Sequence, residues 1–116
     1  MRNDLSLYEV NAGDWWDPTS DCFRSLHVVH EFRLALIRQW LGERLHGATV
    51  VDLGCGGGLF AEPLARAGAR VVGVELGAAS VAAARAHAGS DGERLLYVRA
   101  DVRRAPLARE CADVVL

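Results

Sequence analysis

Val50-Val51-Asp52-Leu53-Gly54-Cys55-Gly56-Gly57-Gly58 passes from a β-branched apolar run into four glycines within five positions. A short apolar run bounded by glycine reads as a buried strand, here Ala48 to Leu53. Glycine takes up positive φ and lets main-chain N–H groups approach a ligand. Beyond it the period changes. Leu59 to Ala67 reads as a helix ending at Gly68, with Pro63 in or just after the first turn, where a missing N–H costs least. Arg70 to Leu76 reads as a second buried strand, Ala78 to Ala88 as an alanine-rich helix closed by Gly89, Leu95 to Ala100 as a third strand and Ala112 to Leu116 as a fourth. Strands alternating with helices across short glycine-marked turns predict an α/β fold. The expected form is a parallel sheet of order 3-2-1-4, with right-handed crossovers and helices on both faces.

Upstream, Val29, Leu36, Ile37, Trp40, Leu41 and Leu45 recur at intervals of three and four, which predicts one amphipathic helix over 26–45 with Gly47 just past its end. Asp4 to Val10 reads as a short helix, and Asp17-Pro18 stops regular structure. The chain thus divides into an N-terminal helical lid, 1–46, and a sheet unit, 47–116. The lid is expected near the carboxyl ends of the strands. Asp113-Val114-Val115-Leu116 reads as the middle of a strand. A parallel strand needs both faces covered, so the expectation is a truncated or partial copy of a longer protein. Alone it would be weakly active or inactive, with strand 4 as an exposed edge.

The chain has 116 residues, 51% of them hydrophobic and 24% charged, the composition of a soluble globular domain rather than a disordered or membrane-spanning chain. Its formal net charge of −2 argues against a nucleic-acid-binding surface. Cys22, Cys55 and Cys111 are too few and too scattered for a disulfide framework or a zinc site, which points to reduced, cytosolic thiols. His27, His30, His46 and His87 show no ligand spacing, so no metal cluster is read from this chain.

A glycine turn between a strand and a helix N-terminus is a cofactor-binding turn of the Rossmann type. The dinucleotide spacing G-x-G-x-x-G fails, because Leu59 stands where its last glycine belongs. The spacing present is D-x-G-x-G-x-G, through Asp52, Gly54, Gly56 and Gly58. It resembles motif I of class I S-adenosylmethionine-dependent methyltransferases. That resemblance implies a Rossmann-like sheet and S-adenosylmethionine as cofactor, with Asp52 receiving the ammonium group of its amino-acid tail, directly or through water. Glu75 stands 21 residues after Gly54 at a strand end, where a carboxylate can accept both ribose hydroxyls; a solvated strand-end acid is the alternative. Asp101 ends the third strand, as an acceptor for the adenine amino group or as a turn cap.

Trp15-Trp16-Asp17-Pro18, then Phe23, Leu26-His27 and Arg33-Leu34, together with Gly54–Gly58 and Glu62-Pro63-Leu64-Ala65-Arg66, resemble the 3-demethylubiquinol 3-O-methyltransferases of ubiquinone biosynthesis. The resemblance runs along essentially the whole chain and over the N-terminal half of a typical member. It implies O-methylation of a polyprenylated catechol or demethylubiquinol, a small lipophilic phenol or quinol. It also implies a cytoplasmic location that leaves room for peripheral contact with the inner membrane. In the family the residue matching Arg33 helps bind the cofactor, and a guanidinium can hold the tail carboxylate in a fork. Glu31-Phe32 replaces the Asn-Pro often found before Arg-Leu, and Glu75 replaces the usual Asp. Family members use a divalent metal, whose ligands the resemblance assigns to a motif beyond Leu116. Two further readings stand beside this one: another class I small-molecule methyltransferase, and a cofactor-binding module without turnover.

Overall fold

The computed structural model describes residues 4–89 and 93–116. Four parallel strands, β1 (Thr49–Leu53), β2 (Arg70–Glu75), β3 (Leu95–Arg99) and β4 (Val114–Val115), form one sheet in the order β3-β2-β1-β4. This is the predicted order. Val50 pairs with Val71 on one side and Val114 on the other.

The helices are α1 (Leu5–Val10), α2 (Arg24–Leu41), α3 (Ala61–Arg66) and α4 (Ala78–Ala88). Asp4 caps α1 by accepting the Ser6 N–H. Asp17 accepts the Thr19 N–H at 2.8 Å, a local turn that ends regular structure as expected at Asp17-Pro18. α2 stops four residues earlier than the apolar pattern predicts. Gly42 takes φ +52 there, and Gly42–Leu45 continues as a 3-10 turn. The pattern survives the break because that turn still buries Leu45. α3 starts two residues later than predicted, since Gly58 at φ +88 and a turn at Leu59-Phe60 hold the chain out of the helix.

Val50, Val71, Leu95 and Tyr97 point from one sheet face into a core completed by Ile37, Phe60, Leu64 and Val81 from α2, α3 and their surroundings and from α4. Among the described residues, then, the expectation of helices on both faces is met on one. The reason is topological. The β1–α3–β2 and β2–α4–β3 crossovers step in the same direction, and right-handed crossovers then place both helices on the same side. The chain reverses direction only between β3 and β4. That connection holds a 3-10 turn, Val102–Arg104, rather than an α-helix. The reversal puts the switch point, where open α/β sheets place ligands, at the carboxyl ends of β1 and β4.

Candidate functional site

Beside that switch point, a cavity of about 480 Å³ opens at the carboxyl ends of β1, β2 and β3. Its floor is the turn Gly54–Gly56, one wall is Glu75–Gly77, and Asp101 and Val102 form a corner. The lid supplies the roof, through Tyr8 and Glu9 of α1, Trp15, and His30 and Arg33 of α2.

The turn is held from below and from the side. Gly54, at φ +75, and Cys55 both donate their N–H to the Val74 carbonyl, at 2.8 and 3.1 Å. Glu75 bridges two loops: Oε2 accepts the Gly56 N–H at 3.0 Å and Oε1 the Gly77 N–H at 2.8 Å. From above, the Trp15 ring lies on Gly56 and Gly57 so closely that a Cβ on either would overlap it. Trp15 is itself pinned: Nε1 donates to Ser80 Oγ at 3.0 Å, and its ring stacks on Phe23 with centroids 4.1 Å apart. Trp16 donates to the Gly57 carbonyl at 3.0 Å and stacks on His87 at 3.6 Å. His87 Nδ1 lies 2.7 Å from Oε2 of fully buried Glu62, whose other oxygen faces Arg66 at 2.5 Å. The double tryptophan therefore fastens the lid to the glycine turn as well as to α4.

The cavity brings together Arg33, Gly54, Gly56, Glu75 and Asp101. Arg33 places its guanidinium 4.7 Å from the Phe60 ring centroid. Asp101 lines the cavity, but its carboxylate caps Val102–Arg104 by accepting the Arg103 N–H at 2.9 Å and pairing with the Arg103 guanidinium. Those bonds hold its carboxyl down at about 2. The turn-capping alternative for Asp101 is thus realised at the cavity edge. Gly58 lies outside the lining. A Cβ there would overlap the Tyr97 hydroxyl, so this glycine admits the tyrosine. Burial pushes the Cys55 thiol well up, which leaves it a small neutral wall group and no nucleophile.

Asp52 stands behind the lining. It is 6% exposed, and its Oδ2 has no hydrogen-bond partner among the described residues. Burial raises its carboxyl to about 6, with Arg33 pulling it down and Glu75 pushing it up. An acid raised in the folded state stabilises the fold below its unfolded value and loses that contribution as pH climbs through the folded one. Asp52→Asn should therefore change stability little near pH 4 and raise it near pH 8 by up to about 3 kcal/mol. Denaturant midpoints at the two pH values test this, and a gap between variant and wild type that is the same at both refutes it. A cation brought beside Asp52 would offset the same cost.

Sequence reasoning missed Glu9, Ser80, and the His87–Glu62 pair. Glu62 and Arg66 are visible as an i,i+4 pair, but nothing local marks Glu62 as buried. Glu9 and Ser80 gain their roles only through contacts across the fold.

Residues 51–116 match the family described as a methyltransferase domain. The chain belongs to that family. A ubiquinone biosynthesis O-methyltransferase from Sinorhizobium medicae is 37% identical over 125 residues, covering 99% of this chain and 50% of that protein. The structure of an S-adenosylmethionine-dependent methyltransferase from Mesorhizobium loti is 33% identical with a TM-score of 0.60, over 70% of this chain and 37% of that one. Magnesium protoporphyrin IX methyltransferase from Synechocystis, solved with bound S-adenosylhomocysteine, shares the fold at a TM-score of 0.73 and 24% identity, over 97% of this chain and 52% of its own. The chain spans about half the length of the curated relatives it matches. In this methyltransferase domain the cavity lies at the glycine turn that opens the matched segment.

Proposed function

We propose that this protein is an S-adenosylmethionine-dependent O-methyltransferase acting on a polyprenylated catechol or demethylubiquinol, and that the cavity under the lid holds the cofactor. One observation carries the reading: Arg33, the glycine turn and Glu75, chosen from sequence, meet around a single cavity with the unpaired buried carboxylate of Asp52 behind it. The named relatives support the same class.

The residues fit such a cofactor. Arg33 offers a fork of donors for a carboxylate. Asp52 offers a buried negative charge for an ammonium, Glu75 offers acceptor oxygens for ribose hydroxyls, and Asp101 sits at the edge for the adenine. Gly54 leaves open space for close approach of a ligand to the backbone, while Gly56 lines the cavity and also makes room for Trp15. Gly58 contributes by seating the turn against Tyr97. When bound, S-adenosylmethionine supplies a methyl group activated on a sulfonium. The chain's own part is to hold and align that methyl for in-line attack by a phenol oxygen, and to exclude water with Tyr8 and Trp15 overhead.

Among the described residues no group of three or more His, Cys, Asp or Glu could hold a metal ion. The divalent metal implied by the family resemblance would draw its ligands from chain beyond Leu116. No described helix is long and apolar enough to cross a membrane. A lipophilic substrate fits a cytoplasmic protein with peripheral membrane contact, and that location is part of the proposal.

The test is transfer of labelled methyl from S-adenosylmethionine to a demethylubiquinol analogue with a short prenyl chain. Labelled product supports the proposal. Transfer only to simple catechols would favour another small-molecule methyltransferase, and cofactor binding without transfer to any phenol would favour a binding module.

A further inference from the structure

Glu9 belongs to the lid, yet its carboxylate works on the opposite wall of the cavity. Oε2 accepts the Ala79 N–H at 3.1 Å, across 70 residues of chain. It thereby caps α4, whose own N-cap residue is Gly77 and offers no side chain. Oε1 is buried and has no hydrogen-bond partner among the described residues. It lies so close to Gly77 that a Cβ there would overlap it. Glu75 Oε1 accepts the N–H of the same glycine. Two carboxylates therefore flank Gly77 on the cavity wall, and both line the cavity.

A buried acceptor without a donor is costly, and a ligand that brings the donor recovers that cost. The charge of Glu75 is already met by two backbone N–H groups, and that of Glu9 by the Ala79 N–H at the positive end of α4. What the pair lacks is a neutral donor for the remaining acceptor positions. A vicinal diol supplies two, side by side. We propose that Glu9 is a second cofactor-binding acid, whose Oε1 accepts from one ribose hydroxyl of the cofactor while Glu75 accepts from the other. This rests on the cofactor reading above. It gives the lid a direct contact with the ligand through the same carboxylate that seats α1 on α4.

Glu9→Gln separates the two roles. Its amide oxygen can still accept from Ala79, while the other oxygen becomes an NH₂ group that cannot accept from a hydroxyl. Calorimetry with S-adenosylhomocysteine and its 2′-deoxy and 3′-deoxy forms reads the effect. Wild type should bind the parent ligand about tenfold more tightly than at least one deoxy form. Glu9→Gln should lose about tenfold on the parent ligand and bind that deoxy form as wild type does, because both changes remove one interaction. Its thermal midpoint should match wild type, whereas Glu9→Ala should lower it. Wild-type affinity for S-adenosylhomocysteine in Glu9→Gln would overturn the inference and leave the cofactor reading standing. Equal losses on all three ligands would also overturn it, since a cap alone would produce them. If wild type binds none of the three, the cofactor reading fails first and the inference fails with it.

Discussion

Gly58→Ala should destabilise the protein by about 2–5 kcal/mol, the sum of a left-handed backbone cost and an overpacked core. Gly58 sits at φ +88, where any Cβ is strained. That Cβ would also overlap the Tyr97 hydroxyl. The tyrosine has nowhere to retreat. It is 3% exposed, and its ring already lies under Gly73, where a Cβ would meet it at 2.7 Å. The first strand–helix turn would have to shift, and cofactor binding should go with it. A control isolates the cause. The Tyr97 hydroxyl is buried and has no hydrogen-bond partner among the described residues, so Tyr97→Phe alone should cost little or nothing. In combination with Gly58→Ala it should recover part of the loss. Urea midpoints measure all three variants, and a wild-type midpoint for Gly58→Ala would show that the turn does not depend on that glycine.

Glu75→Ala should act on two properties at once. Its carboxylate accepts N–H groups from the glycine turn and from the start of α4. Each hydrogen bond to a charged acceptor is worth about 1.5–3 kcal/mol, and partial exposure reduces that, so a stability loss of about 2–4 kcal/mol is expected. Cofactor affinity should fall by at least the about 1–3 kcal/mol expected for one lost ligand contact, because the cavity floor and wall lose their common anchor as well. Glu75→Gln keeps one acceptor and should fall between wild type and alanine. Calorimetry on S-adenosylhomocysteine, with denaturation curves in parallel, reads both effects. An unchanged dissociation constant would leave Glu75 as a scaffold for two loops and no more.

The elements that were legible in the sequence are those whose boundaries are written locally. α4 runs between Gly77 and Gly89, the latter at φ +55, and its predicted limits match the structure residue for residue. Short apolar runs set off by glycine or charged residues mark β1, β2 and β3 within one residue at either end, although the outer face of β3 leaves Leu96 exposed. The apolar pattern runs past the end of α2 because Gly42 interrupts the backbone without interrupting the burial of Leu45. Within the site, the glycine turn and Glu75 lie next to one another along two successive strand ends, so spacing alone found them. Spacing could not say which glycine serves a ligand and which serves a neighbour. Gly56 and Gly57 make room for Trp15 and Gly58 for Tyr97, and these facts depend on residues far away in sequence. Glu9 had no local signal at all: one acid on a six-residue helix acquires a role only when α4 arrives beside it.

That distance has a consequence for how the chain comes together. Trp15 meets Ser80 across 65 residues, and Glu9 meets Ala79 across 70. Closing a loop of that length costs about 2 kcal/mol more than closing one of ten residues, and nothing repays it until the far partner has formed. The lid is therefore synthesised before α4 and seated only once α4 has formed. Until α4 leaves the ribosome and folds, Tyr8, Trp15 and Phe23 pack against one another, Leu59 and the glycine turn, without the cover of Ala79 and Ala83. For that interval the aromatic set that later shelters the glycine turn lacks part of its cover, and apolar surface left open on a nascent chain needs shielding from other chains.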